Sequence, residues 1–142
     1  MSATTSIAIA YQYLGDDASK AICGSWSGWY MYPHNTNGFI FVKYADAFQE
    51  SAETAASGVV VLSSEEDLPG ANGKVYLDGV NIATPGGDPT AFVGEPCYIG
   101  AMYRPTYPAY RHSNVVVARW SLYDIPLSVA QVVALSAAMA VV

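Results

Sequence analysis

Apolar and polar positions alternate with a period of two along much of this chain, the repeat of a β-strand with one face turned to a core. Residues 6–14 set Ile7, Ile9, Tyr11 and Tyr13 on one face and Ala8, Ala10, Gln12 and Leu14 on the other, which predicts a strand covered on both sides. Residues 20–25, 29–32 and 39–44 predict three further strands, punctuated by Gly, Asp, Asn and Pro. Residues 45–57 have no apolar stripe and read as a loop, with an edge strand as the alternative. The Val-Val-Val run within residues 58–62 predicts a buried strand, and residues 97–102 another. The clearest signal is Asp78-Gly79, which suits the two φ > 0 positions of a type I′ hairpin. Across that turn Val75, Leu77, Val80 and Ile82 share one face, and Lys74, Tyr76 and Asn81 the other. In residues 114–123 the alternation puts Val116, Ala118, Trp120 and Leu122 on one face and Val115, Val117, Arg119 and Ser121 on the other, and it assigns Trp29 and Trp120 to the core. A capping box then opens a short helix, with Ser128 as N-cap and Gln131 three residues on. Val129, Val132, Val133 and Leu135 form its expected apolar face.

Short strands, many turns and one late helix predict an all-β fold: a two-sheet antiparallel β-sandwich of jelly-roll type with one short C-terminal helix. The 142 residues fit a single domain spanning residues 1–142. Charged residues are only 13% of the chain, against an average of about 25%. Ser, Thr, Asn, Gly and Tyr must therefore cover much of the surface, as they do where a protein packs against neighbours. The formal charge of −6 argues against a nucleic-acid partner, which requires clustered Lys and Arg. The final apolar segment, residues 129–142, is shorter than the roughly 20 residues of a membrane span. The first residues have no basic stretch and no apolar run, so no secretion signal is expected. Cys23 and Cys97 read as free thiols, with a disulfide between them as the alternative.

The motifs GKVYLDGVNIAT, CYIGAMY and NVVVARWSLYDIPLSVAQVVAL resemble the closing portion of concanavalin A-like lectin/glucanase domains of the laminin-G-like type. The resemblance is close over residues 73–135 and loose over residues 6–62. It implies a concanavalin A-like sandwich and little about function, since that superfamily includes lectins, glycanases, adhesion modules and structural domains. Relative to the family the chain begins almost at the second strand, so either a minimal sandwich or an open sheet edge covered by another molecule is expected.

Candidate chemistry is sparse. A glycanase of this kind places paired carboxylates on one strand. Here Glu65, Glu66 and Asp67 are consecutive beside Pro69-Gly70 and read as a solvated turn, so no enzyme activity and no catalytic residue are expected. The acidic pair Asp16-Asp17 and the triplet 65–67 are thin for the six or more oxygens that calcium takes, so no metal or cofactor is expected, with a calcium site as the lesser alternative. His34 and His112 lie in loops. What stands out is the loop carrying Tyr103, Arg104, Tyr107, Tyr110, Arg111 and His112. Tyr and Arg are enriched at protein interfaces, and flat aromatic faces beside hydrogen-bonding groups also suit sugar rings. The expectation is a non-enzymatic structural or surface-attachment component of a larger assembly, specifically a phage virion protein such as a capsid decoration or appendage. It would be made in the cytoplasm, carried on a virion surface or extracellular assembly, and bound to other protein subunits. The alternative is a lectin-like module binding cell-surface glycans, and a glycanase comes last.

Overall fold

In the computed structural model the described residues are 6–14, 23–24, 29–32, 41–44, 47–50, 57–64, 73–84, 98–99, 115–123 and 125–140. They form ten strands and one helix: β1 (Ser6–Tyr13), β2 (Cys23–Gly24), β3 (Trp29–Tyr32), β4 (Phe41–Tyr44), β5 (Ala47–Glu50), β6 (Ser57–Ser64), β7 (Gly73–Leu77), β8 (Val80–Ala83), β9 (Tyr98–Ile99), β10 (Val115–Tyr123) and α1 (Val129–Ala140). The strands make two antiparallel five-stranded sheets, ordered β10-β1-β6-β7-β8 and β5-β4-β3-β2-β9. This is the two-sheet antiparallel β-sandwich with a short C-terminal helix that the alternation implied. The segment read mainly as a loop contributes β5, at the edge of the second sheet.

In the first sheet β1 and β6 are central, and they are covered on both faces. Ile7, Ala8, Ile9, Ala10, Tyr11, Val59, Val60, Val61 and Leu62 are all buried. One face packs under α1, where Ala8, Ala10, Val59, Val61 and Tyr76 meet Val132 and Met139, flanked by Leu127 and Leu135. Two alanines on the central strand leave room for the helix to approach closely. Ile7, Ile9, Tyr11, Val60, Leu62 and Val75 point the opposite way, toward the sandwich interior.

The helix begins as its sequence dictates. The Gln131 backbone N–H donates to Ser128 Oγ at 3.3 Å, and the Ser128 N–H donates to Gln131 Oε1 at 2.8 Å, completing the capping box. Its buried stripe, however, is Val132, Ser136 and Met139. Val129 and Val133 were expected on the apolar face and are instead exposed. A serine at the centre of the stripe shifts its apparent position toward the valines.

Two bulges correct the face assignments. In β10 the register slips so that Ala10 opposes Arg119 and Tyr11 opposes Val117, leaving Ala118 as the extra residue. Beyond it Val115 and Val117 therefore share a face with Trp120 and Leu122, while Val116 joins Arg119 and Ser121 on the helix side. In the hairpin Val75 pairs with Ala83, not Ile82, so Ile82 is the bulged residue. Trp120, expected in the core, is 58% exposed. It faces the interior side, but β10 is an outer strand, and among the described residues nothing pairs with its outer edge. Strand position overrides alternation here. The Trp29 side chain lies outside the description.

Candidate functional site

Three separate segments converge where β1, β6 and the β7–β8 turn meet the end of α1. The turn comes first. Asp78 and Gly79 have φ of 50° and 85°, the paired positive values of a type I′ turn. This backbone aims the Asp78 side chain across at the start of β6. There Asp78 Oδ1 accepts the Val59 N–H at 2.8 Å, and the Asp78 N–H donates back to the Val59 carbonyl at 2.9 Å. Gly58 makes the approach feasible. A Cβ on it would stand 2.8 Å from a Leu77 methyl and 3.1 Å from both Asp78 carboxylate oxygens. Asp78 thus has a tertiary role beyond the turn geometry that its sequence context announces.

The helix is tied to the same region. Its Val133 lies against Gly79, where an added Cβ would come within 3.3 Å of the Val133 backbone. Near its C-terminus, Arg119 donates from Nη1 to the Ala138 carbonyl at 2.8 Å, a cation placed at the negative end of the helix dipole. At the other end, two buried serines hold the connector between β10 and α1. Ser6 Oγ and Ser63 Oγ are 2.8 Å apart. Ser6 Oγ donates to the Ile125 carbonyl at 2.9 Å, and the Leu127 N–H donates to Ser63 Oγ at 3.0 Å.

Beside the Asp78–Val59 bond and the helix C-terminus lies an open cavity of about 590 Å3, lined by Ala10, Tyr11 and Gln12 of β1, Ser57, Gly58 and Val59 of β6, Asp78 of the turn, Val116 and Ala118 of β10, and Met139 and Ala140 of α1. Among the described residues of this lining Asp78 is the one that is charged. Burial and, secondarily, the nearby Asp78 carboxylate push the Tyr11 hydroxyl well above the ordinary tyrosine range, so it stays protonated. Arranged this way, the cavity can accept hydrogen bonds, exchange them through an amide and a hydroxyl, and cover an apolar surface. Among the described residues of its lining there is no carboxylate pair and no nucleophile–base pair.

The residues singled out from sequence, Tyr103, Arg104, Tyr107, Tyr110, Arg111 and His112, lie outside the described residues, as do His34, Cys97, Asp16-Asp17 and 65–67. Cys23 is placed in β2 by its backbone. Among the described residues no group of three or more His, Cys, Asp or Glu could hold a metal, and no helix is long and apolar enough to cross a membrane. Sequence reasoning missed the cavity because its lining comes from β1, β6, β10, the hairpin turn and α1, and no local motif spans them.

No family model matches the chain, and no curated protein matches it. Solved structures do match its architecture. The CBM40 of Ruminococcus gnavus IT-sialidase, bound to alpha2,3 sialyllactose, superposes with a TM-score of 0.69 at 18% identity, covering 94% of this chain and 82% of that one. The same domain bound to alpha2,6 sialyllactose gives 0.69, also at 18% identity and with the same coverage. Trypanosoma rangeli sialidase matches with a TM-score of 0.66 at 19% identity, covering 93% of this chain but only 22% of the sialidase. At these identities the similarity establishes a shared β-sandwich fold.

Proposed function

We propose that this chain is a non-catalytic, lectin-like glycan-binding module of the concanavalin A-like, laminin-G-like kind, and that sialylated glycans are its ligands. The observation that carries this is the superposition on a CBM40 solved with sialyllactose, over 94% of this chain and 82% of that one. Charge supports the choice of ligand. Sialic acid presents a carboxylate, and a chain of net charge −6 needs local cations to hold it. Of its three arginines, Arg119 is engaged by the helix end, which leaves Arg104 and Arg111. A guanidinium grips a carboxylate through two parallel N–H bonds. Tyr103, Tyr107 and Tyr110 share that loop and offer faces for a sugar ring, and His112 closes it. In this proposal the loop is the ligand contact, and no metal or catalytic residue is required.

A glycan array should give sialylated hits that disappear in an Arg104→Ala/Arg111→Ala variant and weaken in Tyr107→Ala/Tyr110→Ala. An array without hits, or hits indifferent to all four substitutions, would remove the loop from the account.

A second reading, the assembly component carried on a virion surface, draws support from one place. Trp120, Leu122 and Ile125 are 58%, 45% and 50% exposed, and they line the outer strand β10 and the residues that follow it. An open strand edge with exposed apolar side chains is an association surface. The comparisons favour glycan binding over this reading. Sedimentation of the purified chain separates the two: a self-associating chain that loses its partner on Trp120→Ser and binds no glycan supports assembly.

A further inference from the structure

The cavity beside Asp78 differs in chemistry from the Tyr/Arg loop. Its volume of about 590 Å3 falls within the roughly 300–1,000 Å3 of small-molecule sites. Such sites combine apolar walls with a few convergent polar groups, and this one does so. Val59, Val116 and Met139 supply the wall; Asp78, Gln12 and Ser57 supply the polar groups. Asp78 commits Oδ1 to the Val59 N–H, while Oδ2 has no hydrogen bond to a described residue. The Gln12 and Ser57 side chains are exposed and likewise uncommitted among the described residues. A strong acceptor, an amide and a hydroxyl around an apolar wall match a ligand with several hydroxyl groups on a compact ring.

An anion does not match. Among the described residues Asp78 is the charged one of the lining, and the last helical residue, Ala140, also borders it. The helix C-terminus adds partial negative charge. Arg119, which gives Nη1 to the Ala138 carbonyl, is not one of the lining residues.

We propose that this cavity is a second saccharide subsite that takes a neutral hexose residue, distinct in charge preference from the Arg104/Arg111 loop. The proposal rests on the glycan-binding reading and extends it: a glycan would be read at one place through its acidic sugar and at another through a neutral one.

The test is a set of amide correlation spectra of the full chain, titrated separately with galactose, glucose, mannose, N-acetylneuraminic acid and glucosamine. At least one neutral hexose should produce saturable shifts at the Gln12, Gly58 and Val59 amides. N-acetylneuraminic acid should leave those amides still. Gln12→Ala should weaken the hexose about tenfold, the equivalent of one hydrogen bond. Val116→Trp, which fills the wall from an exposed strand position, should abolish it. Sialyllactose binding should survive both substitutions. The subsite is overturned if no neutral hexose gives saturable shifts there, or if glucosamine alone does so, which would make it an ammonium site. Sialyllactose binding with still cavity amides removes only the subsite. Hexose binding in the cavity without sialyllactose binding keeps the subsite and removes the sialylated-ligand reading.

Discussion

Replacing Asp78 separates two contributions that the structure superimposes on one residue. Asp78→Ala puts a residue without a polar side chain at φ 50°, which costs roughly 1–2 kcal/mol because the left-handed region crowds Cβ against the carbonyl. It also removes the acceptor of the Val59 N–H, a 2.8 Å bond at a part-buried position. An unsatisfied donor of this kind costs about 1–3 kcal/mol. The two together predict a loss of about 2–5 kcal/mol. Asp78→Asn tolerates the same backbone and keeps an oxygen for Val59, so it should cost less than about 1 kcal/mol. Equilibrium urea unfolding followed by tryptophan fluorescence, with equal slopes across the variants, measures both. Near-equal losses for Ala and Asn would refute the reasoning, because they would make the charge, and not the turn and the bond, responsible for stability.

Three further outcomes follow from the packing. Ser6→Ala and Ser63→Ala each break the bond between the two hydroxyls, so the double variant should lose about 1 kcal/mol less than the sum of the singles, and additivity in a denaturation cycle would contradict the coupling. The Ser136 hydroxyl is buried without a hydrogen-bond partner among the described residues, so Ser136→Ala should raise stability by about 1 kcal/mol and increase the melting temperature, whereas a lower melting temperature would mean that a partner holds the hydroxyl. Tyr11 has a raised folded pKa, so its contribution is fully present below the ordinary tyrosine value of about 10 and is lost as pH rises above it, at up to about 1.4 kcal/mol per pH unit. Tyr11→Phe should flatten that alkaline decline relative to the wild type, and parallel curves would contradict it.

What was legible in the sequence was what local chemistry decides. The I′ turn at Asp78-Gly79 follows from two residues that tolerate positive φ, and the capping box follows from Ser128 and Gln131 reaching each other within one turn. The Val59–Val61 run declared a buried strand because only burial on both faces accommodates it. Features set by long-range pairing were not legible. The bulge at Ala118 exists only in the register between β1 and β10, and it reverses the facing of everything on its N-terminal side in β10. Trp120 has the alternation of a core residue and the exposure of an edge residue, a difference that depends on strand order. The bond from Asp78 to Val59 spans 19 residues and depends on a bare Gly58, so neither residue announces it alone. The Tyr/Arg loop was conspicuous through side-chain chemistry, while the cavity of Ala, Val, Ser and Gln has no compositional signature.

The most direct test of glycan binding is calorimetric titration of the intact chain with sialyllactose, with lactose as the control that lacks the carboxylate. The account predicts saturable binding of sialyllactose that is far tighter than that of lactose, that weakens with added salt, and that is lost in Arg104→Ala/Arg111→Ala. Equal heats for the two sugars, or sialyllactose binding unchanged by the double substitution, would contradict it.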